Sequence, residues 1–238
     1  MRIVSAINSP KKQMGRVLSK VLLAEKVYEV DIMLPEVLIY RPGKYISLKV
    51  SESGIRRSYS VVGFEKNVVK LLVDVGPGGV GSVFVENLSV NDEVEVMGFL
   101  GNFFLDWSEL GDKKTVYFVA TGSGIAPFLP MIREIRNRNP ELKVVLWWGV
   151  RFVRRVYWQD KLKELKNNWS NFNFEIYVSR PESEWSGNVG RVGDKLDEVE
   201  TNDTSWYLCG STEMIEQIKN KLLAKGVGDV DINYEKFF

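Results

Sequence analysis

The sequence predicts a two-domain protein, with an N-terminal antiparallel β-barrel followed by a C-terminal α/β domain built on a parallel sheet. Between Gly15 and Gly98 the chain consists of short β-branched runs separated by turn residues, a pattern typical of an antiparallel barrel or sandwich. After about Gly111, apolar runs alternate with helical patterns, which indicates a parallel sheet covered by helices. A chain of 238 residues is long enough for two domains that each bury a core, and we place them at residues 1–110 and 111–238.

The first domain is predicted to contain six strands and one short helix. Pro42-Gly43 indicates a tight turn between two strands. The glycine-rich segment Gly76–Gly79 precedes a short helical pattern at Val80–Leu88. The predicted strands are Arg16–Ala24, Val27–Leu34, Lys44–Val50, Ile55–Gly63, Val68–Asp74 and Glu93–Met97.

The second domain is predicted to alternate strands with helices after a join near Asp106–Lys114. Ligands of such sheets bind beyond the carboxyl ends of the strands, so the loops after the strands are the candidate binding segments. The predicted strands are Thr115–Ala120, Lys143–Gly149, Phe174–Val178 and Ser205–Cys209. The predicted helices run from the loop after the first strand through Arg138, and over Tyr157–Asn168 and Thr212–Lys225.

Composition excludes several classes of protein. One cysteine cannot form an internal disulfide or hold an iron–sulfur cluster on four thiolates, and the lack of histidine disfavours a catalytic triad or a zinc site. A formal charge of +1 gives no support for binding to nucleic acid or a membrane surface. The chain shows no signal-peptide pattern and no apolar stretch of membrane-spanning length. We therefore expect a cytoplasmic, monomeric enzyme without membrane insertion.

One predicted strand segment, Arg57-Ser58-Tyr59-Ser60, brings together three different chemistries. Side chains alternate along a strand, so Arg57 and Tyr59 can face one side while Ser60 faces the other. A guanidinium for phosphate, a flat ring for stacking and a hydroxyl suit a flavin nucleotide. The alternative is an ordinary half-buried strand with a polar edge.

A second motif, Thr121-Gly122-Ser123-Gly124-Ile125-Ala126-Pro127, follows a predicted buried strand and opens a helix. Free backbone N–H groups and the helix dipole at such a junction favour phosphate or another electron-rich group. Glycine lets the backbone approach a flat ligand closely, and proline suits the first helical turn. The alternative is a tight turn that binds nothing.

The order of motifs along nearly the whole chain resembles the ferredoxin–NADP reductases and their flavin-dependent relatives. The resemblance implies an FAD-binding β-barrel and a Rossmann-like NADP-binding α/β domain, with a C-terminal tail that returns to the flavin. Two aromatic residues before Leu105-Asp106 resemble the bacterial ferredoxin/flavodoxin branch. The matching segments are Pro42-Gly43, Arg57–Ser60, Gly81-Ser82, Gly101–Phe104, Thr121–Pro127, Gly149–Arg151, Ser179-Arg180, Gly187–Val192, Cys209-Gly210 and Glu235–Phe238.

For the FAD site, the resemblance implies that Arg57 contacts the diphosphate, Tyr59 stacks on the flavin and Ser60 lies beside flavin N5. Gly81 and Ser82 would offer a backbone amide and a hydroxyl to the diphosphate at a helix N-terminus. The alternative for Ser82 is a simple N-cap, and the two roles are compatible. The other FAD-binding residues implied are Ser58, Val75, Gly76, Phe237 and Phe238.

For the second nucleotide, the resemblance implies a 2′-phosphate pocket made by arginines at neighbouring loop ends, which favours NADP over NAD. These are Arg151, Arg180 and Arg191, with Arg154 and Arg155 as alternatives. The other NADP-binding residues implied are Thr121, Gly122, Gly124, Ser179, Cys209 and Gly210.

The resemblance also assigns the reacting end of the site. Ser60, Cys209 and Glu235 would be the catalytic residues, with Cys209 positioning the nicotinamide rather than attacking it. Phe237 would cover the flavin face opposite Tyr59, and Phe238 would extend toward the FAD adenine.

The function expected is therefore that of an FAD-dependent reductase that exchanges a hydride with NADP(H) and single electrons with a separate acidic ferredoxin or flavodoxin. A basic rim for that carrier would include Lys11, Lys12, Lys236 and Arg56. Two alternatives remain open. One is a reductase of free flavin or quinone with the same fold, and the other is a non-catalytic FAD electron-transfer subunit of a larger oxidoreductase.

Overall fold

A computed structural model describes residues 11–111, 113–182 and 184–237, so the expectation for Phe238 lies outside the described residues. In this part of the chain, no helix is long and apolar enough to cross a membrane.

The first domain is an antiparallel β-barrel, as predicted, and its six strands close in the order β1-β2-β5-β4-β3-β6. Inward residues such as Val17, Ile32, Ile46 and Leu71 are fully buried and form its core. One helix, α1 (Val80–Asn87), lies between the fifth and sixth strands. The strands are β1 (Lys11–Ala24), β2 (Val27–Met33), β3 (Tyr45–Lys49), β4 (Arg56–Glu65), β5 (Val68–Asp74) and β6 (Glu93–Leu100).

The second domain is a six-stranded parallel sheet in the order β10-β9-β8-β7-β11-β12. Its helices are α3 (Phe128–Arg138), α4 (Gln159–Asn167) and α5 (Thr212–Ala224), and the short helix α2 (Trp107–Leu110) precedes it. Its strands are β7 (Thr115–Thr121), β8 (Lys143–Val150), β9 (Phe172–Val178), β10 (Asn188–Val189), β11 (Thr204–Ser211) and β12 (Ile232–Phe237).

The strand order creates a switch point between β7 and β11. From β7 the chain builds outward through β8, β9 and β10 on one side, and it then returns to add β11 and β12 on the other. The loops after β7 and β11 therefore leave the sheet in opposite directions. A crevice at the carboxyl ends of these two strands is where open α/β sheets bind ligands.

The two domains are joined by apolar packing and by ion pairs. Val27, Val62 and Leu72 of the barrel belong to the same buried cluster as Leu129 and other residues of the α/β domain. Arg155 forms an ion pair with Asp74. The domain boundary at residue 110 stays a prediction, and α2 lies beside it.

Candidate functional site

The barrel presents the N-terminus of α1 without a side-chain cap. The N-cap residue is Gly79, and no side chain accepts a hydrogen bond there. Ser82 lies inside the first turn and is buried, so its interpretation as the N-cap is wrong. The first backbone N–H groups of a helix have no intrahelical partner, and this helix end therefore offers donors to an anion.

Gly81 brings α1 against the strand that carries Arg57 and Tyr59. A Cβ atom built on Gly81 would lie 2.6 Å from Tyr59 Oη and 2.9 Å from Arg57 Cγ. Only glycine therefore lets the first turn of α1 approach these two side chains so closely. Arg57 is exposed, and its Nη1 donates to the carbonyl of Arg56 at 2.8 Å.

The alternation predicted along β4 is present. Tyr59 pairs with the core residue Ile46 and packs against the barrel core, whereas Ser60 pairs with Tyr45 and is buried on the other side. Ser58, between Arg57 and Tyr59, is exposed. Burial raises the pKa of Tyr59 to about 12, so its ring is neutral at physiological pH.

Two of the predicted FAD residues lie at the end of β5, toward the second domain. The side chain of Val75 is in the barrel core, its N–H donates to the carbonyl of Lys26 at 2.9 Å, and its carbonyl accepts from the Gly78 N–H at 3.2 Å. The N–H of Gly76 donates to Asp74 Oδ1 at 2.7 Å. The same Asp74 carboxylate pairs with Arg155 across the domain interface.

A cleft of about 1020 Å³ opens at the carboxyl ends of the parallel strands and reaches the barrel at Val27 and Asp74. It contains most of the residues predicted to bind the second nucleotide, and Phe237 lines it as well. The predicted residues that line it are Thr121, Gly122, Arg151, Ser179, Arg180, Arg191, Gly210 and Phe237.

The three arginines that the sequence predicted for the 2′-phosphate pocket differ in their surroundings. The backbone N–H of Arg180 donates to the carbonyl of Arg151 at 2.8 Å, which places these two residues side by side. Arg191 Nη1 lies 2.9 Å from Glu213 Oε1, and the Arg191 N–H donates to Asp194 Oδ2 at 2.6 Å. Part of the charge of Arg191 is therefore already compensated.

The two alternative arginines serve the domain interface. Arg154 pairs with Glu25 at 2.8 Å and with Glu182, and it does not line the cleft. Arg155 lines the cleft but is paired with Asp74, and its Nη1 donates to the carbonyl of Glu25 at 2.7 Å. The contacts with Glu25 and Asp74 join the α/β domain to the barrel.

The loops after β7 and β11 touch each other beneath the cleft. A Cβ on Gly124 would collide with the carbonyl of Cys209, and one on Gly210 would collide with Thr121 Oγ1. The Ser211 N–H donates to Thr121 Oγ1 at 3.1 Å. Gly124 and Cys209 therefore support the floor of the cleft instead of lining it.

Cys209 and Glu235 are neighbours on adjacent parallel strands. Cys209 is fully buried, and burial together with the Glu235 charge raises the pKa of its thiol well above the ordinary value. The thiol is thus neutral and a poor nucleophile. Glu235 Oε1 lies 4.0 Å from the Cβ position of Gly101, at the barrel end, and burial raises its pKa to about 7.

The raised pKa of Glu235 predicts a pH-dependent stability. Between the ordinary pKa of 4.5 and about 7, the folded protein keeps a proton that the unfolded chain has lost, so stability falls as pH rises through this window. Glutamine does not titrate, so the free energy of unfolding of the Glu235→Gln variant should not fall over this pH range. Above pH 7 the variant should be more stable than wild type, by at most about 3 kcal/mol. Urea unfolding of both proteins from pH 5 to 8 measures this, and parallel pH profiles would contradict it.

Three of the four residues expected to form a basic rim are ion-paired. Lys11 pairs with Glu36 at 2.6 Å, Lys236 pairs with Glu216 at 3.0 Å, and Arg56 pairs with Glu95. The fourth residue, Lys12, is exposed on β1. The net positive charge of these four residues is therefore smaller than the sequence suggested. The sequence did not reveal the pairing, because each carboxylate is distant in sequence from the cation that it neutralises.

Comparison with known families identifies both halves of the chain. Residues 15–105 match the model of an oxidoreductase FAD-binding domain, and residues 118–220 match that of an oxidoreductase NAD-binding domain. The chain belongs to the ferredoxin reductase-like superfamily of flavoprotein oxidoreductases. Its barrel is thus the FAD-binding domain, and its α/β domain binds the pyridine nucleotide.

Several known proteins are 25–31% identical in sequence to this chain. The toluate 1,2-dioxygenase electron transfer component of Pseudomonas putida is 31% identical over 204 residues, which are 84% of this chain and 59% of that protein. The reductase subunit of an aromatic O-demethylase from Amycolatopsis is 30% identical over 90% of this chain and 66% of its own length. This chain therefore spans about three-fifths of the length of these curated relatives.

Two solved structures of the superfamily superpose on nearly the whole chain. A cytochrome P450 reductase from Amycolatopsis has a TM-score of 0.89 at 28% identity, over 96% of this chain and 70% of its own. A ferredoxin NADP⁺ reductase from Neisseria gonorrhoeae, with FAD and NADP bound, has a TM-score of 0.83 at 25% identity. The match covers 96% of this chain and 99% of that chain.

The residues of this superfamily member fit FAD on the barrel side. The uncapped α1 terminus offers backbone donors, and Gly81 keeps it in contact with Arg57, which is the donor chemistry that a diphosphate requires. Asp74 and Tyr157 are among the residues of the cleft that sequence reasoning missed. Asp74 ends a predicted strand, which is a usable signal, whereas nothing in the sequence marks Tyr157 as part of a site.

Proposed function

We propose that this protein is an FAD-dependent reductase that takes electrons from NADPH and delivers them singly to a separate carrier, a ferredoxin or a flavodoxin. The observation that carries the proposal is the cleft, in which Arg151, Arg180 and Arg191 lie together at loop ends of the sheet while Asp74 of the barrel forms part of the same wall. A pyridine nucleotide in this cleft extends from the arginines toward the FAD-binding domain.

The preference for NADP rests on Arg151 and Arg180. Neither pairs with a carboxylate within the described ranges, whereas Arg191 pairs with Glu213. An adenosine 2′-phosphate would supply the missing negative charge, and guanidinium groups bind phosphate through two parallel hydrogen bonds. Ser179, which precedes Arg180 and lines the cleft, adds a hydroxyl donor.

FAD would be held by Arg57, Tyr59 and the N-terminus of α1, with Gly81 keeping these elements in contact. When bound, FAD supplies the conversion between two-electron exchange with the nucleotide and one-electron exchange with the carrier. Ser60 lies on the face of β4 opposite Tyr59, beside Tyr45. From there its hydroxyl can donate to an acceptor at the domain boundary.

Glu235 is the group best suited to exchange a proton at this boundary. It lies between the barrel residue Gly101 and the strand of Cys209, and burial raises its pKa to about 7. An acid with a pKa near physiological pH both takes up and releases protons readily. The Cys209 thiol is buried beneath the floor of the cleft and neutral, so it does not compete as a nucleophile.

Carrier reduction tests the proposal directly. The purified holoprotein should reduce a ferredoxin or a flavodoxin with NADPH, measured by coupling the carrier to cytochrome c. Omitting the carrier should abolish the signal. Reduction of free flavin or quinone without any carrier protein would contradict the proposal and support the alternative reductase.

The relatives favour one further acceptor. One of them is named as the electron transfer component of a dioxygenase and another as the reductase subunit of an O-demethylase. Direct transfer to an oxygenase component is therefore the second candidate. It predicts NAD(P)H-dependent reduction of an oxygenase partner, with neither ferredoxin nor flavodoxin accepting electrons at a comparable rate.

A further inference from the structure

One backbone carbonyl of the nucleotide-binding loop receives two side-chain hydrogen bonds. The carbonyl oxygen of Gly122 accepts from Trp148 Nε1 at 2.9 Å and from Tyr157 Oη at 3.0 Å. Both donors are buried, with Trp148 at 0% and Tyr157 at 5% exposure, and their rings pack edge to face at 4.6 Å. Such convergence on one carbonyl uses both of its lone pairs.

The two donors determine the direction of the next amide. In a trans peptide unit the carbonyl of one residue and the N–H of the next point in opposite directions. The Gly122 carbonyl points toward the buried Trp148, so the Ser123 N–H points away from that core. Gly122 and Ser123 both line the cleft, and the cleft is therefore where this N–H is directed.

Packing does not fix this loop conformation. Gly122 has a φ of +54°, and no atom lies within 4 Å of its Cβ position. A glycine in open space can rotate its peptide unit at little steric cost. The hydrogen bonds from Trp148 and Tyr157, together with the 3-10 turn over Gly122–Ile125, therefore hold the Gly122–Ser123 peptide in one orientation.

We propose that Tyr157 and Trp148 are positioning residues, which hold the Gly122–Ser123 peptide so that the Ser123 N–H donates to an oxygen of the bound pyridine nucleotide. This inference deepens the proposed function and rests on its assignment of the cleft. Neither residue needs to touch the nucleotide, because each acts through the loop.

Tyr157 is a dependable donor in this role. Burial, followed by the nearby Asp74 carboxylate, raises the pKa of its hydroxyl well above the ordinary value. The hydroxyl is therefore protonated at every pH at which the protein is assayed. Trp148 Nε1 is a donor at all pH values.

The variant Tyr157→Phe tests the inference, because it removes one hydroxyl and keeps the buried ring. Binding of NADP⁺ and of NAD⁺ to the holoprotein is measured by calorimetry for wild type and variant. The relevant nucleotide is the one that wild type binds more tightly. We expect its Kd to rise about three- to ten-fold in the variant, because one hydrogen bond is lost. KM for the reduced nucleotide should rise with it, while kcat changes less than two-fold, and FAD content should stay that of wild type.

The matched control is Tyr207→Phe. Tyr207 is equally buried, but its hydroxyl lies by Asp106 and Ser205, away from the loop. Unchanged nucleotide affinity in Tyr157→Phe would overturn the inference, and so would an equal loss of affinity in Tyr207→Phe. Failure of the proposed function looks different, because wild type itself would then not transfer electrons from the nucleotide, whatever the Tyr157 variant binds.

Discussion

Replacing Arg180 by alanine is expected to raise Kd for NADPH about ten- to a hundred-fold, as hydrogen bonds to a charged group would imply. Arg180 lines the cleft beside Arg151 and is exposed in the free protein, so its loss should cost little stability. NADH lacks the 2′-phosphate, and its affinity should change by less than about two-fold. Titration of the holoprotein with each nucleotide measures both values.

The control for this experiment is Arg136→Ala. Arg136 is an exposed arginine near the end of α3 that does not line the cleft. The Arg136→Ala variant should bind NADPH and NADH with the same Kd values as wild type. If Arg180→Ala weakened NADPH and NADH equally, the residue would contact a part common to both nucleotides, and the assignment of a 2′-phosphate pocket would be wrong.

Replacing Gly81 by alanine should remove most of the bound FAD. The new methyl group would lie 2.6 Å from Tyr59 Oη and 2.9 Å from Arg57 Cγ, closer than a Cβ atom approaches its neighbours. Either the helix or both side chains must move, at a cost of about 1–3 kcal/mol. This corresponds to about a five- to hundred-fold rise in Kd for FAD. Flavin content after purification and fluorescence titration of the apoprotein with FAD would measure it.

Gly63→Ala is the control for this substitution. Gly63 lies on the same strand as Arg57 and Tyr59, has no positive φ, and meets only Lys70 Cβ at 3.8 Å. Alanine at this position should retain FAD. Full flavin content in Gly81→Ala would mean that α1 and β4 do not form the FAD site together.

Most of the fold follows from local sequence patterns. Alternation of apolar and polar residues predicts the six barrel strands because one face of each strand meets the core. The strand after α5 was harder to predict from the sequence, because Ile232–Phe237 is an edge strand whose pairing with β11 is long-range. The two-residue strand β10 and the four-residue helix α2 are too short to leave a periodic signal.

The candidate site was predictable where topology alone brings residues together. Carboxyl ends of parallel strands meet at one edge of a sheet, and this placed Arg151 and Arg180 in one cleft. Pairing between charges was not predictable, because partners such as Arg155 and Asp74 are 81 residues apart in sequence. The double hydrogen bond on the Gly122 carbonyl depends in the same way on side chains that only the fold brings together.

The central claim is that the barrel and the cleft together form one electron-transfer site for FAD and NADPH. Its most direct test is an anaerobic titration of the purified flavoprotein with NADPH, run in parallel with NADH, while the flavin absorbance is recorded. Loss of that absorbance with about one equivalent of NADPH, at a concentration where NADH has little effect, is the predicted result. A flavin spectrum that neither nucleotide changes would contradict the claim.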